Sequence, residues 1–148
     1  MGLRFAAALA LLFANAAVAQ DLGTAPPIAG YWRYAPAPDG SEAVFTDSAG
    51  SRQLFVHCER TTRRVAISRP ATAAAPSISV WTSSLERSAQ SSFSPANGRL
   101  TVEISNFDPL LDAIVSSRGR VAFTVGTQPA LVVPPWPEVA RVIEDCRS

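Results

Sequence analysis

His57 is the only histidine among the 148 residues, and it lies in a segment that alternates like a β-strand. A histidine that acts as a general base or a metal ligand needs partners that converge on it. Neighbouring side chains of a strand point to opposite faces, so we expect His57 to face away from Cys58 and to lie on the surface. The chain has no H-E-x-x-H motif, no histidine–cysteine cluster and no acidic calcium loop. The sequence therefore predicts neither a metal nor another cofactor.

Asp108 and Asp112 form the second group that could do acid–base chemistry, because a spacing of four places two carboxylates on one side of a helix. Asp108 precedes Pro109 and fits the N-cap position of that helix, which is a structural role. None of the 16 serines lies in a G-x-S-x-G or S-x-x-K nucleophile motif. A small periplasmic hydrolase or inhibitor-like module, with a site around His57 or around Asp108 and Asp112, is thus the alternative to a non-enzymatic domain.

Side chains suited to binding are more numerous than side chains suited to catalysis. Tryptophan rings can hold a sugar or a proline-rich peptide, and arginine makes bidentate contacts with phosphate or carboxylate. The candidate binding residues are Trp32, Trp81, Arg118, Arg120 and Trp136. Each has a structural alternative, since the tryptophans could fill the core and Arg118 could bind the last carbonyls of the helix before it.

Cys58 and Cys146 are the two cysteines of the chain, and 87 residues separate them. No C-x-x-C motif is present, so a redox or nucleophilic thiol pair is the less favoured interpretation. An even pair in an exported chain is typical of one structural disulfide. We therefore expect the end of the chain to be linked to a central strand.

The first 19 residues have the features of a secretory signal peptide. Met1 to Arg4 carries a positive charge, residues 5–14 are apolar, and Ala17-Val18-Ala19 supplies small residues for cleavage before Gln20. A membrane anchor is the alternative, but spanning a bilayer takes ~20 consecutive apolar residues, and Asn15 interrupts this run. We expect a periplasmic or secreted chain that spans no membrane after cleavage.

Charge balance excludes several classes of partner. All 13 basic residues are arginines, against 12 acidic residues, and removal of Arg4 with the signal peptide leaves 12 of each. Such a balance favours neither nucleic acid nor an anionic membrane surface as a partner. The arginine-only composition is typical of a GC-rich bacterial genome. The apolar signal peptide raises the hydrophobic content, which is 47% over the whole chain.

The mature chain is predicted to begin with a poorly ordered lead over residues 20–30, followed by a single β-rich domain over residues 31–148. Strands are predicted at Tyr31–Tyr34, Ala43–Thr46, Gln53–Glu59, Arg64–Ser68, Ser77–Ser83, Arg99–Ser105, Arg120–Val125 and Ala130–Val133. Helices are predicted at residues 108–115 and 138–146, the latter opened by Pro137.

Short strands at regular spacing predict a mainly β fold, an antiparallel β-sandwich or partly closed barrel with two short helices, the last at the C-terminus. An α+β sheet with helices on one side is the alternative. Parallel βαβ architecture is not expected, because helical segments do not alternate with the strands.

The last third of the chain resembles small exported alphaproteobacterial proteins, through Leu110-Leu111-Asp112-Ala113, Ser117-Arg118-Gly119-Arg120, Pro135-Trp136-Pro137-Glu138 and the segment 141–147. The order of elements is similar in layout to the invasion-associated locus B family, although the cysteine arrangement differs. This resemblance implies a periplasmic β-rich domain and supplies no catalytic residues. The favoured function is a non-enzymatic binding or envelope-associated accessory protein, whose partner is a protein, an envelope component or a small molecule.

Overall fold

A computed structural model describes residues 20–148 as nine β-strands and two α-helices. The predicted signal peptide lies outside these residues. The strands are β1 (Gly30–Ala37), β2 (Gly40–Asp47), β3 (Arg52–Glu59), β4 (Arg64–Pro70), β5 (Ser77–Trp81), β6 (Glu86–Ser94), β7 (Arg99–Ser105), β8 (Val121–Thr124) and β9 (Leu131–Val133). The helices are α1 (Pro109–Ser116), between β7 and β8, and α2 (Pro137–Arg147), at the C-terminus.

All nine strands belong to one antiparallel sheet, in the order β1-β2-β3-β4-β7-β6-β5-β8-β9. The sheet is strongly curled into a half-barrel, so the mainly β prediction is confirmed and no sandwich is seen over residues 20–148. The two edges, β1 and β9, approach each other. Ile28, just before β1, donates its N–H to the Val132 carbonyl of β9 at 2.9 Å.

Alternation along the strands separates an inner face from an outer face. In β3, Leu54, Val56 and Cys58 are buried in the core, whereas His57 between them is half-exposed on the outer face. The prediction that His57 faces away from Cys58 is therefore confirmed. The inner faces of the strands form one continuous core with the two helices.

Both helices begin as the sequence predicts. Asp108 caps α1, its side chain accepting a hydrogen bond from the Leu110 N–H at 2.8 Å, and Pro109 occupies the first turn. α2 begins at Pro137 and buries Val139, Val142, Ile143 and Cys146. Proline suits these positions because the first turn of a helix leaves its N–H groups without intrahelical partners. No helix within residues 20–148 is long and apolar enough to cross a membrane.

The disulfide predicted between Cys58 and Cys146 is present and joins β3 to the last turn of α2. Both cysteines are buried, with exposed fractions of 0% and 1%. Asn106, which follows β7, donates a side-chain hydrogen bond to the Cys146 carbonyl at 2.9 Å. The end of α2 is thus held by a covalent bond and a buried hydrogen bond.

Strand β6 was not predicted, because the serine-rich segment 84–98 has little hydrophobic alternation. Its inward positions include Ala89 and Phe93, which lie partly buried against the core. β6 pairs with β5 over residues 86–90 and with β7 over residues 91–94. Hydrogen bonding to two neighbours, rather than intrinsic strand propensity, places this segment in the sheet.

The lead segment 20–30 follows a defined path over the outer face of the sheet. Ala25 is buried together with Ala122 of β8 and Val132 of β9. The Arg120 guanidinium donates to the Ala25 carbonyl at 2.6 Å. The predicted poor order of this segment concerns its motion and stays a prediction.

Candidate functional site

The interior of the half-barrel is filled by side chains. Its enclosed apolar space amounts to about 10 Å³ between the sheet and the helices, which is barely room for one water molecule. The lining residues are apolar and come from β1, β3, β4, β8, β9 and both helices. A ligand therefore has to be sought on the outer surface.

The outer face of β1 and β2 carries an open groove of about 370 Å³, which we call the β1–β2 groove. It is lined by Tyr31, Arg33, Ala35, Glu42, Val44, Thr46, Gly50 and Arg52. The antiparallel register explains why these residues meet, since it places Tyr31 opposite Thr46, Arg33 opposite Val44 and Ala35 opposite Glu42. Arg52 reaches the groove from the first position of β3.

Two arginines and one aromatic ring give this groove its chemical character. Arg33 and Arg52 are exposed, and the structure shows no ion pair of either with residues 20–148. Tyr31 is 47% exposed and lies on the same outer face as Arg33. Glu42 is the one carboxylate of the lining. The groove thus combines an excess positive charge with a ring available for stacking.

The turn before Arg52 is held by the carboxylate of Asp47. Its Oδ2 accepts from the Gln53 side chain at 2.7 Å, and its Oδ1 accepts from the N–H groups of Ala49 and Ser51 at 3.0 and 2.9 Å. Hydrogen bonds from Gln53 and Ser51 lower the pKa of Asp47. Asp47, the acidic residue nearest to Arg52 in sequence, therefore has its carboxylate hydrogen bonded within the turn. Gly50 adopts the φ of 85° that the turn requires.

Two other grooves on the outer surface have a different character. One is lined by Arg64, Glu103 and the polar side chains of Gln90, Ser92 and Thr101. The other, beside the lead segment, includes Glu86 and no arginine. In the first the charges of Arg64 and Glu103 balance, and in the second the formal charge is negative. The β1–β2 groove is the one of the three that combines two arginines with a tyrosine.

His57 lies next to the β1–β2 groove but has the surroundings of an ion-paired side chain. Its Nε2 hydrogen bonds to Asp39 Oδ2 at 2.9 Å, and its Nδ1 lies 3.8 Å from Glu42 Oε2. The hydrogen bond from His57 lowers the pKa of Asp39. No serine or threonine hydroxyl within residues 20–148 hydrogen bonds to the ring. Within residues 20–148, the two ring nitrogens of His57 thus face the carboxylates of Asp39 and Glu42.

Asp108, the cap of α1, and Asp112, within α1, are each engaged by an arginine from another element. Asp108 Oδ1 is 2.8 Å from an Arg87 guanidinium nitrogen, and Asp112 Oδ1 is 2.9 Å from one of Arg147. Burial opposes ionisation of Asp108, but hydrogen bonds from Arg87 and from the Leu110 N–H lower its pKa. These ion pairs tie α1 to β6 and to α2, and thus give both carboxylates a structural role.

The predicted binding residues are dispersed over the surface and the core. Trp32 is 6% exposed and donates from Nε1 to the Pro134 carbonyl at 2.8 Å, so its ring belongs to the core. Trp81 is partly covered by the lead segment, and Trp136 is 40% exposed at the start of α2. Arg120 binds the Ala25 carbonyl, whereas Arg118 is exposed. None of these five residues lines the β1–β2 groove.

Metal-binding clusters are absent from the described part of the chain, where no three His, Cys, Asp or Glu side chains are grouped to hold an ion. No protein-family model, curated protein or solved structure matches this chain. The resemblance described above stays a prediction, and the site has to be interpreted from its own geometry.

Sequence reasoning did not select Tyr31, Arg33 and Arg52 as site residues. The alternation in Tyr31-Trp32-Arg33 could have indicated that the tyrosine and the arginine share the face opposite the buried tryptophan. Arg52 could not be placed in the same way, because its position depends on the turn and on a register shift between Phe45 and Thr46. The groove is a product of strand pairing.

Proposed function

We propose that this chain is a non-enzymatic binding domain, exported to the periplasm or secreted, that contacts its partner through the β1–β2 groove. One observation carries the proposal: exposed Tyr31 and the arginines Arg33 and Arg52, without ion pairs in the described chain, surround one groove. Arginine and aromatic side chains are the residues most enriched at interaction surfaces. The filled interior leaves the outer surface as the place for binding.

The disulfide supports the exported location. Disulfides persist in oxidising compartments such as the periplasm and are rare in the cytosol, and Cys58–Cys146 joins two distant parts of the chain. Mass spectrometry of the protein from the cell envelope or medium tests this location. We expect an N-terminus at Gln20 and a mass two hydrogens below that of the reduced chain. A full-length or reduced product would contradict export.

The surroundings of the candidate catalytic residues favour binding over the hydrolase alternative. His57 contacts Asp39 and Glu42 instead of a hydroxyl nucleophile. Asp108 and Asp112 are neutralised by arginines rather than left free in a cleft. General acid–base catalysis needs a titrating group within hydrogen-bond reach of the substrate. The β1–β2 groove is lined mainly by groups that bind and orient, and Glu42 is its one carboxylate.

Site-specific photo-cross-linking in the producing cells tests the binding site directly. Tyr31 is replaced by a photoreactive phenylalanine analogue in the full chain. The matched control carries the analogue at Phe107, an aromatic residue that is 65% exposed outside the β1–β2 groove. We expect a discrete adduct from position 31 and none from position 107. Equal labelling at both positions, or no adduct from position 31, would refute the proposed binding surface.

A further inference from the structure

We infer that the β1–β2 groove binds an acidic saccharide, with a sugar carboxylate between Arg33 and Arg52 and a sugar ring against Tyr31. This inference rests on the proposed binding function and specifies the chemical class of the ligand. Three features of the groove support it: the position of the two guanidinium groups, the exposed Tyr31 ring, and the acceptor oxygens of Glu42 and Thr46.

The positive charge of the groove is available to a ligand. Arg33 extends from β1 and Arg52 from the start of β3, so the guanidinium groups belong to two different elements of one lining. Asp47, the acidic residue closest to Arg52 in sequence, is already held by three hydrogen bonds within the turn. The planar guanidinium matches a carboxylate with two parallel hydrogen bonds. An anionic ligand therefore meets two exposed guanidinium groups that form no ion pair within residues 20–148.

Tyr31 supplies the surface for a ring. Its side chain lies opposite Thr46 across the β1–β2 pair and two residues from Arg33 on the same face. The exposed ring offers an apolar face and a polar hydroxyl tip. A sugar has the complementary character, because its C–H groups form an apolar face and its hydroxyls form a polar rim. The ring and the arginines can thus engage one carboxylated sugar residue.

Glu42 and Thr46 select against more densely charged ligands. The Glu42 carboxylate accepts hydrogen bonds only, and the Thr46 hydroxyl both donates and accepts; both side chains line the groove. A carboxylate in the lining repels a polyphosphate or a run of acidic residues, but it accepts readily from sugar hydroxyls. The mixture of two cations, one anion and one hydroxyl therefore favours a ligand with separated carboxylates and many hydroxyl groups.

Titration of the disulfide-bonded protein with trigalacturonate, a short carboxylated saccharide, tests the inference by amide chemical-shift changes. Maltotriose, poly-glutamate and inorganic phosphate serve as the neutral-sugar, acidic-peptide and simple-anion probes. We expect trigalacturonate to shift the amides of the β1–β2 groove and to bind at least tenfold more tightly than each other probe. Affinity should fall with added salt, because the charges involved are exposed.

Variants of the groove separate specific binding from general charge attraction. Arg33→Ala and Arg52→Ala should each weaken trigalacturonate binding by about tenfold, the effect of losing a charge-assisted hydrogen bond. Tyr31→Ala should weaken it by a similar factor, whereas Tyr31→Phe should retain most of the affinity. The matched control is Arg64→Ala, which removes the same charge from the outer face of β4, away from the groove. An equal loss in Arg64→Ala would overturn the inference.

The outcomes distinguish the ligand class from the binding site. If poly-glutamate or phosphate shifts the groove amides and trigalacturonate does not, the acidic-saccharide inference is wrong and the proposed binding surface stands. The same holds if no probe binds but position 31 forms a cross-linked adduct in cells. If no probe binds and no adduct forms, both proposals fail.

Discussion

Removal of the Cys58–Cys146 disulfide should destabilise the domain mainly by raising the conformational entropy of the unfolded chain. The bond spans a sequence separation of 88 residues. Loop-closure entropy for a loop of this length corresponds to about 4.6 kcal/mol at 25 °C. This amounts to a large part of the ~5–15 kcal/mol by which ordinary domains are stable. The double variant Cys58→Ala/Cys146→Ala removes the bond without leaving a free thiol.

In the double variant, the folded state retains most of the contacts that hold α2 against the sheet. Val139, Val142 and Ile143 stay buried against the sheet, and Asn106 can still bind the Cys146 backbone carbonyl. We therefore expect the free energy of unfolding to fall by about 3–5 kcal/mol and the melting temperature by about 10 °C or more. The denaturant m-value should rise, because an unlinked chain exposes more surface when it unfolds.

Urea denaturation followed by circular dichroism measures the free energy of unfolding and the m-value. The control variant Val142→Ala removes packing of α2 in the folded state, since Val142 is fully buried. It should lower the free energy of unfolding by creating a cavity and leave the m-value unchanged. A loss below about 1 kcal/mol in the double variant, or an m-value equal to that of the oxidised protein, would refute the loop-entropy reasoning.

Three further substitutions test individual interactions. Trp32→Phe leaves the Pro134 carbonyl without its donor and should cost about 1–3 kcal/mol of unfolding free energy in the same assay; unchanged stability would contradict the role of this 2.8 Å bond. Asp108→Ala should cost about 1 kcal/mol or more through loss of the α1 cap, and Asp108→Asn less, because Asn still caps; equal costs would show that the cap is not the cause. Burial opposes ionisation of Asp145, but hydrogen bonds led by that from Tyr34 lower its pKa below 3.8. Its stabilising contribution is therefore complete above about pH 4 and disappears as the pH falls through the lowered pKa. The stability gap between wild type and Asp145→Asn should narrow below pH 4, and a gap that widens in acid would contradict this assignment.

Local patterns accounted for most elements of the fold. Short strand-like segments bounded by turn residues predicted eight of the nine strands, and Asp108-Pro109 and Pro137 predicted where the helices begin. These signals are reliable because each depends on residues close together in the chain. Strand β6 was not predicted, because its hydrogen bonding to β5 and β7, and not its own composition, makes it a strand.

The candidate site was less accessible to sequence reasoning than the fold. His57 was correctly placed on the outer face, but its partner Asp39 is 18 residues away in sequence and could not be foreseen. Trp32 appeared suited to binding by residue type, yet its exposed fraction of 6% depends on the packing of β1 against the loop after β9. Residue type indicates what a side chain can do, whereas burial decides whether it can meet a ligand.

The sequence by itself determined the strand alternation, the helix starts and the pairing of two cysteines, because these follow from local periodicity and from simple counting. Tertiary structure decided how far the sheet curls, that the helices fill its interior, and that Tyr31, Arg33 and Arg52 share an outer groove. Those features depend on strand order and register over the whole sheet. Contacts between distant residues set them, and one sequence read along its length does not contain that information explicitly.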